Sequence, residues 1–490
     1  MKSLKQKTIS GIKWQAINKV TQKVISAVTF MVLARILEPS TFGLFAMAFI
    51  MIDGLSLFKS FGIDSAIIQK KAAPETAKHT AFFLIQGSGL LMFAVCYLVA
   101  PFAGMYFRHP EVASVVRALG VLFVISCFGR ISSAILIKEM RFRLTSITEL
   151  VGSIANSICA IAFAMISPTV WSLVGAYLVK QIVMCALWWY FSGYRLKWQF
   201  DLKIARELLG YGKFLIGLSV LWFAVGNING LIIARVLDAT SLGFFALAAN
   251  LAYFMNGHFT QLVSNVMFPA YSSIQDDPES LKRAYLKTIR YVSIMTLPYG
   301  LTLLTMAQPL VLTLYGEKWS MIIPLVRILA FTQILTPITL CAGSVFPACG
   351  RPQYGYYLAL WDFIFKCFLV YFMTLKWGLV GSALANLITF SIFVPFYFIL
   401  LKRIVDFRFR ELLRELKPAL ACAATMLSSI GILNWIFYYY AKHSQFYPSH
   451  RVILLALMLT GLAAYGVSLF LFDRKSSIEI KQMIFRLERA

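Results

Sequence analysis

Gln15, Lys19, Gln22, Ser26 and Thr29 follow one another at i, i+4, i+7, i+11 and i+14 inside an apolar stretch, and Lys23 borders the same line. At 3.6 residues per turn these positions share one face of a helix, while Ile12, Val20, Val24, Ala27 and Met31 fill the other. A helix start lingering in the membrane interface would account for Gln15 and Lys19, but it does not reach Ser26 and Thr29. A polar line that climbs so far belongs against water or a polar ligand, and its ammonium groups suit an anionic one.

Other chemistry-bearing groups sit in similar apolar surroundings. Lys59 and Arg130 are further cations, and Asp53 and Glu149 are carboxylates that either pair with Lys23, Lys59 or Arg130 or act as proton or sodium sites. Asp362 lies four residues before Lys366, a spacing that predicts an ion pair on one helix. Asn229 closes a face of Leu215, Ser219, Trp222 and Gly226 that carries no cation. Asn250, His258, Gln261 and Asn265 make a milder stripe, able to bind sugar hydroxyls or to hold helices together. Arg35 and Arg235 stand just before Glu38 and Asp238 and read as structural caps or ion pairs. Lys13, Arg117, Lys213 and Arg290 lie near the ends of apolar runs, where a long cationic side chain reaches water by snorkelling.

The elements that must position these groups follow from composition. The chain has 490 residues, 59% hydrophobic and 14% charged, with a formal net charge of +25 and mean hydropathy of +0.75. Soluble domains carry about 25% charged residues, so a soluble enzyme, a disordered chain and a nucleic-acid binder are excluded. Runs of roughly 20 apolar residues match the ~30 Å hydrocarbon layer. Fourteen can be marked, among them 10–37, 240–270, 353–375 and 377–401. Period-two alternation is absent, which leaves an all-α integral membrane protein of 14 transmembrane helices.

Connecting segments on the side of the termini hold 28 Lys and Arg against 5 on the other side. By the positive-inside rule both termini are cytoplasmic, and the excess charge reports topology. Residues 1–10 are basic and run into a full-length helix without a small-residue cleavage site, so no signal peptide is expected. Cys96, Cys127, Cys159, Cys185, Cys341, Cys349, Cys367 and Cys422 all fall within or at the ends of apolar runs without a CxxC pair, and read as small core residues.

Residues 34–48, ARILEPSTFGLFAMA, return as ARVLDATSLGFFALA at 234–248, with seven identities at an offset of 200. WSLVGAYL at 171–178 returns as WGLVGSAL at 377–384. Two parallel six-helix repeats are therefore expected: an N-lobe over 1–192, spans 1–6, and a C-lobe over 207–401, spans 7–12. The stretch 193–206 is the cytoplasmic linker, with a short amphipathic helix along the membrane surface. A basic cytoplasmic linker at 402–417, spans 13–14 over 418–472 and a cytoplasmic tail at 473–490 complete the chain, the last two spans looking like an appendage. Repeats of this kind bind substrate between lobes and alternate access by rocking.

Several strings carry a family likeness. LARILEPSTFGLFAMA (33–48), AIIQKK (66–71), KEMRFR (138–143) followed by ELVGS and VWSLVG, FPAYSSIQDD (268–277), PLVLTLYGEKW (309–319) and ACGRP (348–352) span nearly the whole chain. With them the chain resembles the bacterial polysaccharide flippases, the Wzx-type exporters of the colanic-acid and teichuronic-acid branch. These belong to the multidrug/oligosaccharidyl-lipid/polysaccharide exporter superfamily. The resemblance implies transfer of an undecaprenyl-diphosphate-linked oligosaccharide unit from the cytoplasmic to the periplasmic leaflet of the bacterial inner membrane, in exopolysaccharide or lipopolysaccharide biosynthesis. It departs from the pattern at Asn229, where many relatives have an acid.

The candidate substrate-binding set is Lys19, Lys23, Gln15, Gln22, Ser26, Lys59, Arg130, Asn229, Asn250, His258 and Gln261, with Asp53 and Glu149 as coupling candidates. Lys19 and Lys23 offer point charges to a diphosphate. No metal or cofactor is expected beyond H+ or Na+ as a coupling ion. The partners are the lipid-linked oligosaccharide, membrane lipid, and a polymerase and export machinery of the same pathway, without nucleic acid. The alternative is a cation-coupled drug or metabolite antiporter, which predicts carboxylates dominating the cavity, whereas cations dominate here. A membrane enzyme needs a large external loop or a carboxylate/His cluster, and neither is present in the sequence.

Overall fold

The computed structural model describes residues 4–59, 63, 75–254, 256–443 and 449–474, and every element among them is a helix. In lipid an α-helix bonds all of its own backbone, so long apolar runs have no other open-ended choice. In chain order the helices are α1 (Leu4–Ile36), α2 (Pro39–Ser56), α3 (Glu75–Phe107), α4 (Pro110–Lys138), α5 (Phe142–Ile166), α6 (Val170–Ser192) and α7 (Leu202–Val236). They continue with α8 (Ala239–Ala252), α9 (Asn256–Ser273), α10 (Pro278–Leu314), α11 (Ile322–Ala348), α12 (Pro352–Val405), α13 (Phe409–His443) and α14 (His450–Phe472). Ten of these are long and apolar enough to cross a membrane, and the protein is a multi-pass membrane protein. Proline opens α2, α4, α10 and α12, where its missing N–H is no loss. Asp201 and Asp277 cap α7 and α10 by accepting backbone N–H groups two and three residues on.

Three expected spans look different in the structure. The run at 240–270 is divided between α8 and α9, with Tyr253 and Phe254 in a turn. Tyr253, Phe254 and Asn256 are modest helix formers and Gly257 a poor one, which weakens the helix there. The runs 353–375 and 377–401 are joined inside α12 at Gly378, whose φ of 57° and ψ of −137° only glycine adopts at little cost. A Cβ on Gly381 would lie 1.9 Å from the carbonyl oxygen of Met373. Eight residues of straight helix would separate those positions by about 12 Å, so the chain doubles back on itself at Gly378.

The chain divides into two compact units, Met1–Gly243 and Phe244–Ala490. In the first, α1 packs on α5, and α4 is flanked by α2, α3 and α6. α2 and the start of α8 cross closely: a Cβ on Gly43 would fall 1.6 Å from the Ala239 carbonyl oxygen, and one on Gly243 would fall 1.9 Å from that of Pro39. Residues 39 and 43 correspond to 239 and 243 at the offset of 200, so the contact is reciprocal. Arg235 donates to the carbonyl of Tyr106 at 2.8 Å and lies over that residue's ring, capping the end of α3 as a structural arginine.

The segment 193–201 carries no helix; α7 begins at Leu202 and runs straight on to Val236. It is pinned instead of floating on a surface. Buried His79 accepts at Nδ1 from the Tyr194 hydroxyl (2.7 Å) and the Lys197 N–H (3.4 Å), and Thr80 accepts from the Asp201 N–H at 3.0 Å. The expected amphipathic surface helix is thus replaced by an extended strap whose backbone donors are used by α3.

In the second unit α13 and α14 are built into the core rather than appended. Cys422, Met426, Ile430, Ile453 and Leu457 pack with Ile294, Leu297 and Met306 of α10. The Tyr465 hydroxyl donates to the Ile294 carbonyl at 2.7 Å. Arg290, expected to snorkel, instead binds both oxygens of buried Asp473 and lies 3.3 Å from Glu415, while Lys282 pairs with Glu411 at 2.8 Å. Carboxylates from α13 and the end of α14 supply what water would otherwise provide.

Candidate functional site

The polar line on α1 lies opposite its lipid-like face. Ile17, Val20, Val24 and Val28 are more than half exposed and recur every three or four residues. Across the helix, Gln15 and Ser26 are exposed and Lys19, Gln22 and Lys23 are half-buried, each of the two lysines engaged in interactions. Thr29 is buried and returns its hydroxyl to the Ile25 carbonyl at 2.7 Å.

Gln22 meets a carboxylate from α5. Glu149 accepts from the Asn18 amide at 3.0 Å and from the Gln22 amide at 3.3 Å, and Ser153 donates to the Gln22 carbonyl oxygen at 3.3 Å. Two i,i+4 polar pairs, Asn18/Gln22 and Glu149/Ser153, therefore face each other in the contact between α1 and α5. Asn18 is 5% exposed and its side-chain Oδ1 has no hydrogen-bond partner among the described residues. Lys180 of α6 is within electrostatic reach of Glu149 and stands 5.6 Å over the Tyr177 ring. Glu149 is thus a half-buried carboxylate met by two amide donors, with one ammonium within electrostatic reach.

The same unit holds a half-open cavity of about 190 Å³ between α2, α4 and α6. Asp53, Ser56, Lys59, Ser126, Tyr177 and Gln181 bring polar groups to it, and Phe49 and Phe123 make apolar wall. Phe49 meets Tyr177 edge-on at 5.5 Å. The Lys59 carbonyl accepts from Ser88, which fixes the chain leaving α2 against α3. The coordinates thus bring Asp53 and Lys59 together in one cavity, and Gln22 and Glu149 together in one network.

Other sequence-derived candidates stand apart from both. Arg130 is half-buried on α4, beyond the cavity, and Asn229 is buried on α7, each with interactions of its own. Asn250 is exposed on α8 in the second unit. The side chains of Lys13, Lys213, His258, Gln261 and Asn265 lie outside the described residues. Asp362 pairs with Lys366 at 3.3 Å, as their spacing predicts. Asn18, Ser153, Tyr177 and Gln181 were not singled out in the sequence. The repeated i,i+4 polar spacing inside apolar runs was the available signal for the first two; the other two have none.

Half-buried Glu149 met by two amides, and Asp53 with Lys59 at a cavity, set among long apolar helices, define a polytopic membrane protein that carries polar groups between its helices. Residues 32–324 match the family model described as polysaccharide biosynthesis protein, and the chain belongs to that family. It is 28% identical over 421 residues to the lipopolysaccharide biosynthesis protein WzxC of Escherichia coli (strain K12), covering 84% of this chain and 85% of that one. It is 24% identical over 370 residues to the teichuronic acid biosynthesis protein TuaB of Bacillus subtilis (strain 168), covering 74% and 75%. Its fold is similar to that of the lipid II flippase MurJ in an inward closed conformation, with a TM-score of 0.73 at 16% identity over 94% of this chain and 98% of that one.

Proposed function

We propose that the chain is a flippase that carries an undecaprenyl-diphosphate-linked oligosaccharide unit from the cytoplasmic to the periplasmic leaflet of the bacterial inner membrane. Transport, rather than covalent chemistry, is its task. The observation that carries the reading is the polar side of α1, where Lys19, Lys23 and Gln22 stand opposite a lipid-like apolar face. A diphosphate needs cations and a wet path, and each hydrogen bond to a charged group contributes about 1.5–3 kcal/mol. WzxC and TuaB, named for surface-polysaccharide biosynthesis, and MurJ, named as a lipid II flippase, support the substrate class.

The finer architecture belongs to the same proposal. Fourteen crossings are obtained when α1 and α7 count as spans, α8 and α9 as one, and α12 as two joined at Gly378. The contacts of Gly43 with Ala239 and of Gly243 with Pro39, positions matched at the offset of 200, support two parallel repeats. Alternating access then opens one end of the molecule while the other is shut. Both termini are cytoplasmic on the 28-to-5 distribution of loop cations. Coupling to H+ or Na+ runs through Glu149 or Asp53, and a polymerase of the same pathway takes the product.

Deletion of the gene tests the reading. The expected result is accumulation of a lipid-linked saccharide in the cytoplasmic leaflet and loss of surface polymer, both reversed by the intact gene. Unchanged lipid-linked pools with normal polymer would contradict it.

A further inference from the structure

The cavity between α2, α4 and α6 has a lining that fits neither a bare cation nor a diphosphate. A metal or sodium site collects several oxygen ligands and excludes an ammonium, yet Lys59 lines this cavity beside Asp53. A diphosphate calls for a surplus of cations, yet among the described residues the charged lining here is one acid and one base. What remains is balanced: a carboxylate and an ammonium, the hydroxyls of Ser126 and Tyr177, and the carboxamide of Gln181, against apolar wall from Phe49. Neighbouring hydroxyls on a small ring, each both donor and acceptor, match such a mixture, and the ring's C–H face matches the negative face of an aromatic wall. The size agrees: a cavity of about 190 Å³ admits a single six-membered ring.

The geometry points to this cavity as the seat for a single pyranose ring of the transported saccharide, with Asp53 accepting from ring hydroxyls and Lys59, Tyr177 and Gln181 donating to them. The inference rests on the flippase reading and adds to it a place, inside the first unit, where one sugar is recognised while the diphosphate is held elsewhere. Asp53 is thereby a recognition group, and Glu149 is left as the coupling carboxylate.

The test uses the purified full chain in lipid nanodiscs and saturation-transfer NMR with free glucose, galactose, mannose, fucose, glucuronate and N-acetylglucosamine. At least one ring is expected to give a transfer signal with millimolar affinity. Gln181→Leu and Tyr177→Phe should each weaken it about tenfold, the loss of one hydrogen bond left unmade. Ser126→Ala, the smallest change, serves as a second variant should either of those fold poorly. Silence from the whole panel, or a signal untouched by all three folded variants, would overturn the seat. So would displacement of the bound ring by Na+, which would assign the cavity to the ion. The lipid-linked pool of the deletion strain separates the two readings. Accumulation without ring binding sinks the seat alone, and ring binding without accumulation sinks the flippase.

Discussion

In Met1–Gly243 the half-buried Glu149 carboxylate is ringed by Asn18 and Gln22 amides, and Asp53 opens onto a cavity. In Phe244–Ala490 several carboxylates go to cations: Asp473 and Glu415 clamp Arg290 and Glu411 holds Lys282 across helices, and Asp362 holds Lys366 within α12. The cross-helix pairs of the second kind staple α13 and the end of α14 to α10. Amide-ringed carboxylates of the first kind keep charge available inside the helices. The difference assigns chemistry to the first unit and scaffolding to the acids of the second.

The largest test of that contrast is Lys19→Ala with Lys23→Ala. If both ammonium groups contact the diphosphate, polymer export should fall about a hundredfold or more, with membrane abundance unchanged on immunoblots. Normal export would place the anion route elsewhere.

Glu149→Ala comes next. It leaves the Asn18 and Gln22 donors without their acceptor, a cost of about 1–3 kcal/mol, and export should fall about tenfold. Glu149→Gln keeps an acceptor for one amide and removes the charge, so thermal stability should recover while transport does not. Recovery of both would reduce Glu149 to a packing group.

Asp473→Ala should do the opposite. Breaking a fully buried pair costs about 3–5 kcal/mol; Arg290 keeps some water and Glu415, so about 2–3 kcal/mol is expected. The melting temperature should fall while flipping per folded molecule stays normal. A selective loss of flipping would give the second unit's acids a part in the mechanism.

The smallest effect is expected from replacing Asp362 and Lys366 together by Leu and Met. The pair is largely buried, and replacing such a pair by apolar residues of similar volume is often close to neutral, so stability and export should hardly move. A large loss of export would show that this pair serves more than its helix.

Much of the helical frame was legible because lipid sets the length of an apolar run, and glycine and proline mark its ends. The polar face of α1 was legible for the same reason: helical period is a local property. Its partner was not, since Asn18 and Glu149 are 131 residues apart and no local rule joins them. Arg290 was misjudged on similar grounds, because a cation near a span end snorkels unless an acid such as Asp473, 183 residues away, reaches it first. The basic and apolar residues of 193–206 predict a short surface helix within the linker, and the competing attachment of 193–201 to His79 and Thr80 leaves no mark in local composition. The cavity's Tyr177 and Gln181 are ordinary membrane-helix residues until α2 and α4 are placed beside them.

The most direct measurement reconstitutes the purified chain in liposomes carrying a fluorescent undecaprenyl-diphosphate saccharide in the outer leaflet and follows protection of the label from a membrane-impermeant quencher. Intact protein and Asp473→Ala, compared per folded molecule, should protect the label at equal rates, and the Lys19→Ala, Lys23→Ala protein should match empty liposomes. Equal rates for all three, or no protection above empty liposomes by the intact chain, would contradict the account.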